Sequence, residues 1–454
     1  MRQRIRVCAA LWAACGAGTV LAQPADTSDQ RLNQFERRLD QLEQRHRAEL
    51  KRRDETIARL EQQVAGRAAT PAPTAADVDR VRQDLFRDLE SRDPVTQQAR
   101  RAPASLNPDV TIITDFLGTW SNRRANDAWN RFDVRELELD LRASVHPSAD
   151  AVGILAFERD VENPVFPDPD EPAEGPEGSV AIEEAYLFLH DFGVPNLTAK
   201  LGRFHLRFGR QNMLHLHDLP TSDPPLVNQA FLAPESLVDS GLSLSYVIPP
   251  RFTFGQYVEA IVEVVTGEGG GSESASLPGD LTVDSPALNA HLLWNADLGA
   301  NWNLELGGSW LWAKRSADNA RDVNLLGLDA TLLRRDPSGR FNNQLLQGEL
   351  IYGDVSRLGD SGKEHAWGAY LLGQQQLNRN WYAGLRLDYT ENPNDDGQHA
   401  WAATPYLSWY WSEFLRFRVM YQHRDGDVPA EDVLYFQATW IFGAHPPHPY
   451  WSMR

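Results

Sequence analysis

The feature that most constrains this chain is an alternation of apolar and polar residues that sets in at Asp109 and persists to Phe442. Successive side chains of a β-strand point to opposite faces, so a period of two describes a sheet with one apolar and one polar face. In Arg135 to Ser144, Leu137, Leu139, Leu141 and Ala143 fall on one side, with Glu136, Glu138, Asp140 and Arg142 on the other. Trp302, Leu304, Leu306, Gly308, Trp310 and Trp312 alternate with Asn303, Glu305, Gly307 and Ser309. The runs starting at Trp381 and Leu415 do the same, with Arg386, Asp388, Arg416 and Arg418 on their polar sides. Such segments begin near residues 109, 133, 150, 181, 196, 238, 255, 286, 301, 322, 342, 365, 380, 400, 414 and 433. They predict an all-β transmembrane barrel of about 16 antiparallel strands over residues 109–454, with lipid outside and water inside.

No stretch reaches the roughly 18 consecutive apolar residues of a spanning helix, and mean hydropathy is negative. A barrel tolerates this composition, because only half of each strand meets lipid. A soluble sandwich would bury aliphatic residues on its apolar faces. Here those faces carry Trp302, Trp312, Trp381, Tyr389, Trp401, Trp409 and Trp411 near strand ends, as interfacial girdles do.

The N-terminal part has a different character. Arg2, Arg4 and Arg6 precede an apolar run, Val7 to Ala17, and Val20-Leu21-Ala22 suits cleavage before Gln23, so residues 1–22 read as an export signal. Cys8 and Cys15 both lie in the removed piece, leaving no thiol for disulfides, zinc-thiolate sites or nucleophiles. Lipidation at Cys15 is the alternative. Residues 23–66 are charged and helix-favouring, with Leu32, Phe35, Leu39 and Leu42 spaced by three and four, then Leu50, Ile57, Leu60 and Val64 after a stutter near His46. That pattern predicts an α-helical coiled coil, and a homotrimer assembled through it. A single amphipathic helix against the barrel mouth is the alternative. Residues 67–108 form a linker with a short helical piece, Val78, Val81, Leu85 and Leu89, bounded by Pro94 and Pro103.

Two polar connections, Asp160 to Ser179 and Gly267 to Asp284, are long enough to be extracellular loops, and residues 205–236 form a third that folds into the lumen. Charges expected to face inward are Glu136, Glu138, Asp140, Glu259, Glu263, Glu305, Asp329, Glu349 and Asp388, against Arg142, Arg386, Arg416 and Arg418. Rings of acid favour cations, and opposed rings of acid and guanidinium set up a transverse field. The plainer alternative is that they pair across neighbouring strands.

The ending Ile441-Phe442-Gly443-Ala444-His445, followed by His448-Pro449-Tyr450, resembles the C-terminal pattern of the phosphate-selective porin O and P family. Together with a signal, coiled coil and barrel, the resemblance implies passive transport by a trimeric or monomeric channel. Trp451 to Arg454 depart from it by extending past the aromatic terminus. The substrate does not carry over. Phosphate-selective members use arginine ladders and lysine-rich lumens, whereas this barrel region has only Lys200, Lys314 and Lys363. From Asp109 onward lie 25 of the 44 basic residues but 48 of the 63 acidic ones, a net charge of −23 that concentrates cations and repels phosphate.

Between Arg203 and Pro224 lies the least typical stretch, where His215, His217 and Asp218, with His205 nearby, offer imidazole and carboxylate ligands to zinc or a similar cation. The alternative is a constriction loop whose histidines hydrogen-bond Asp218 or Asp223. No hydrolase elbow, Walker loop, His-Glu-x-x-His or Cys site is present, so neither an enzyme nor a resident cofactor is expected. Glu183 and Glu184 alternate to opposite faces unless a bulge intervenes. A TonB-dependent receptor needs about 22 strands around a plug, and 346 residues cannot supply both. The sequence therefore points to an exported channel in the outer membrane of a Gram-negative bacterium. Its expected partners are outer-membrane lipid and small solutes or ions, cations or neutral molecules preferred, and not nucleic acid. An envelope-tethering or adhesive protein with the barrel as anchor, and a zinc-uptake channel, are the alternatives.

Overall fold

A computed structural model of the chain describes residues 108–443, other than 124–129, 160–164, 167–177, 191, 233–235, 268–285, 315–321, 339–340, 357–362 and 395–396. The predicted signal, coiled coil and linker, most of the two long polar loops and the terminal motif past Gly443 lie outside the described residues; of the first loop Val165 and Phe166 are described, Val165 being buried.

Sixteen strands follow one another: β1 (Asp109–Ser121), β2 (Arg131–His146), β3 (Ala149–Arg159), β4 (Gly178–Leu189), β5 (Leu197–His205), β6 (Val238–Val247), β7 (Tyr257–Val265) and β8 (Ala287–Asp297). The second half holds β9 (Trp302–Lys314), β10 (Asp322–Arg334), β11 (Gln344–Ser356), β12 (Lys363–Gln376), β13 (Trp381–Glu391), β14 (His399–Ser412), β15 (Leu415–Gly426) and β16 (Glu431–Phe442). Each starts within three residues of its predicted position. Every strand is antiparallel to its sequence neighbours, and β1 also pairs with β16, so that Thr114 stands between Leu137 and Trp440. The sheet is thus a closed barrel with no edge left to satisfy.

Polarity is inverted relative to a soluble protein. Leu328, Val180 and Phe132 are 65%, 67% and 62% exposed, while Arg386 and Arg416 are 0% and 2% exposed. An outward aliphatic surface over a polar interior is stable only against lipid. Aromatic rings gather on that surface at both ends of the same strands. At one end Trp381 stacks on Trp409, centroids 5.4 Å apart, and Trp409 on Trp411; at the other, Trp367 meets Tyr389.

Two β-bulges break the alternation where it matters. Opposite the step Asp115/Phe116, β2 inserts Arg135, and opposite Ile154/Leu155, β4 inserts Glu183. An inserted residue lets two consecutive side chains serve one face. Glu183 and Glu184 therefore both reach the interior, under the one condition that sequence reasoning had set for it.

Candidate functional site

The connection between β5 and β6 turns inward. It opens where the Leu206 amide bonds the Leu237 carbonyl, runs through short 3-10 turns at Gln211–Met213 and Leu216–Asp218, and ends in a brief helix, α1 (Leu226–Phe231). Almost all of it is buried. Its anchors lie on strands all around the wall, which places it inside the barrel.

Each anchor joins a wall charge to the loop, mostly to backbone. The Arg207 amide donates to Glu263 at 2.9 Å, and the Arg210 and Gln211 amides both donate to Glu349 Oε1, at 2.9 and 2.7 Å. Arg210 pairs with Glu305. On the opposite wall, Arg416 donates to the His217 carbonyl, and Arg418 to those of Leu219 and Thr221, at 2.7 and 2.6 Å. Arg386 bridges the Thr221 hydroxyl, Asp223 and Asp388, and Asp388 accepts the Leu226 amide. The bulged Arg135 reaches Asp115 at 2.6 Å and also donates to the Ser222 carbonyl. A loop without regular structure has many unpaired backbone groups, and these wall charges satisfy them.

Shape supports the same arrangement. Phe208, Phe231 and Val227 pack among Leu311, Val323, Leu325, Ile351 and Val355 on the inner wall. Glycines make room for the rings: a Cβ on Gly353 would lie 2.7 Å from Phe231 Cε1, and one on Gly327 2.8 Å from Phe208 Cε1. The interior expected to be purely aqueous thus contains a small apolar core between the loop and β9 to β12. Gly353→Val is expected to cost about 1–3 kcal/mol through overpacking, lowering the unfolding temperature of the detergent-extracted barrel. Gly373→Val, on β12 with nothing within 4 Å of its Cβ, is expected to leave it unchanged.

The polar residues named from sequence sit as follows. Glu136, Glu138, Asp140, Glu263, Glu305, Asp329, Glu349, Arg386, Asp388, Arg416 and Arg418 are buried, with Arg142 and Glu259 half-buried. Arg142 pairs with Asp140 at 2.9 Å, and Glu259 accepts from Tyr257 and Ser245. Most of the rest bind the loop, so neither a free ladder of arginine nor simple cross-strand pairing describes them.

The histidines converge on β2 and β4. His215 Nδ1 lies 2.7 Å from Glu183 Oε1, and its Nε2 3.7 Å from Glu184 Oε2. His205, at the end of β5, donates Nδ1–H to the Asn212 carbonyl at 2.9 Å, which turns Nε2 towards Glu183 at 3.5 Å. His217 Nδ1 lies 3.2 Å from Glu138 Oε2 and 3.8 Å from Glu136 Oε2, with Asp218 3.6 Å from its other nitrogen. The rings of His215 and His217 stack at 5.5 Å. Burial opposes charge on both, but Glu183 and Glu138 around His215, and Asp218 and Glu138 around His217, hold their imidazolium forms well above the usual histidine range. Asp223, offered as an alternative histidine partner, binds Arg386 and Gln422 instead.

Sequence reasoning missed Arg135, Asp115, Arg210 and the joint inward placement of Glu183 and Glu184. A signal was present: the outward residues Val134 and Leu137, and Ile182 and Ala185, are three apart where strict alternation requires two.

No protein-family model matches the chain. An uncharacterized protein of Aquifex aeolicus (strain VF5) is 24% identical over 407 residues, covering 76% of this chain and 80% of that protein. Among solved structures, Pseudomonas putida OprB at high pH superposes with a TM-score of 0.51 at 10% identity, covering 74% of this chain and 94% of that one. The fold is that of an outer-membrane porin. The channel DcaP of Acinetobacter baumannii (14% identity, TM-score 0.47, 75% and 98% covered) and Salmonella typhi OmpF with daunomycin (10%, 0.49, 74% and 97%) are also similar.

Proposed function

We propose that this chain is a passive diffusion channel of the bacterial outer membrane, carrying small hydrophilic solutes past the inward loop. One observation carries the reading: a closed sixteen-strand wall, apolar outside and polar inside, holds the β5 to β6 connection within it largely through charged side chains. Barrels of this strand number enclose an aqueous path.

The charge of −23 from Asp109 onward favours cations or neutral solutes over anions. That sum already includes the inner arginines, and Arg386 is balanced locally by Asp223 and Asp388. The phosphate-selective resemblance therefore extends to general architecture and not to substrate. Assembly as a homotrimer through residues 23–66 belongs to the same proposal.

Planar-bilayer recording of the purified protein under a KCl gradient tests it. Stable current steps with a cation-selective reversal potential are expected. An anion-selective potential would return the arginines to the path, and absence of conductance would favour the anchor reading.

A further inference from the structure

We infer that Glu136, Glu138 and His217 form a binding site for one divalent transition cation of the zinc class, which clips the inward loop to β2. Glu136 and Glu138 are two apart on β2, so both point inward, and His217 comes to them from the loop. The three are 3%, 1% and 2% exposed. One atom of each, Glu136 Oε2, Glu138 Oε2 and His217 Nδ1, is buried and makes no hydrogen bond; His217 Nδ1 lies 3.8 and 3.2 Å from the two oxygens, and the three residues can each bring one ligand atom within 4.8 Å of the others.

That is an unusual combination. Buried carboxylate and imidazole atoms are normally hydrogen-bonded, and leaving one without a partner costs about 1–3 kcal/mol, more for a charged group. A metal cation between three such atoms satisfies all of them at once, binding His217 in its neutral form with release of a proton. Ligand atoms about 2.0–2.2 Å from a tetrahedral zinc stand roughly 3.3 Å apart, close to the 3.2 Å between His217 Nδ1 and Glu138 Oε2. Two carboxylates balance a double positive charge, and the imidazole selects for zinc-like ions over the all-oxygen preference of calcium or magnesium. With three protein ligands the fourth position is left to water or a passing solute.

The set differs from the sequence expectation in taking two wall carboxylates in place of His215 and Asp218. His215 is already hydrogen-bonded to Glu183.

The test uses the full chain extracted in detergent, stripped with a chelator and titrated with Zn²⁺ by calorimetry and with Co²⁺ by visible absorption. One equivalent per chain is expected, with the cobalt d–d band of a low-coordinate nitrogen and oxygen site. Glu138→Gln and His217→Ala should each weaken that equivalent by more than about 100-fold, since even an outer partner of a metal ligand is worth about 10–100-fold. His215→Ala should retain it. Heat-modifiable gel mobility reports whether each variant is folded, and a variant that is not is replaced by Glu136→Gln. Failure of the wild type to bind, or equal binding by folded Glu138→Gln and His217→Ala, would overturn the site. The readout involves no current, so its failure leaves the channel reading standing.

Discussion

Replacing Gly209 to Leu232 with a short Gly/Ser turn is expected to yield a barrel that still closes but carries several-fold more current per open channel. The walls of a sixteen-strand barrel are set by pairing between neighbouring strands, and the Leu206 to Leu237 backbone bond already holds β5 and β6 together at the base of the loop. Removing the loop takes no hydrogen bond from the barrel ladder. It does expose Glu349, Arg386, Arg416 and Arg418, which lose their loop partners, but in an opened lumen water replaces those bonds. The wider path and the newly hydrated charges both raise conductance. Single-channel recording of the deletion beside the parent measures it, and equal step sizes would show that the loop does not line the narrowest part of the path.

Arg386→Ala is expected to be the most damaging single substitution in the interior. Arg386 is fully buried and joins Asp388, at 2.8 Å, to the Thr221 hydroxyl and to Asp223. Truncation leaves two carboxylates facing each other without their shared cation, and breaking a buried charge group in this way costs about 3–5 kcal/mol. The change reaches beyond local stability, because Asp388 also accepts the Leu226 amide at the start of α1. Loss of Arg386 therefore frees the loop on the β13 side. A lowered temperature of barrel unfolding and frequent brief closures in the current trace are the expected signs. Arg386→Lys should fall between parent and alanine, since a single ammonium cannot reproduce the forked contacts. If Arg386→Ala melts like the parent with a quiet open state, the remaining anchors hold the loop without it.

Alternation was enough to place sixteen strands, but it misjudged the positions where alternation fails. At Val134-Arg135-Glu136-Leu137 and Ile182-Glu183-Glu184-Ala185 the extra residue is taken up by a bulge. Each bulge delivers one more charge to the interior than the pattern allows. Arg135 anchors Ser222, and Glu183 receives His215. An interval of three between outward apolar residues is visible in the sequence, yet whether it marks a bulge or a strand end depends on the partner strand.

The sequence by itself determined the barrel, its strand starts and the inward parity of residues such as Glu138, Arg386 and Arg418, because the side-chain period of a strand is a local property of the backbone. Only the tertiary structure decided what those residues do. Arg418 meets the Leu219 carbonyl across 199 positions of chain, and Glu349 meets the Arg210 amide across 139. His217 reaches Glu138 only because the β5 to β6 connection folds into the lumen instead of over it. Contacts of that range arise from closure of the sheet, which brings strands remote in sequence to face one enclosed loop.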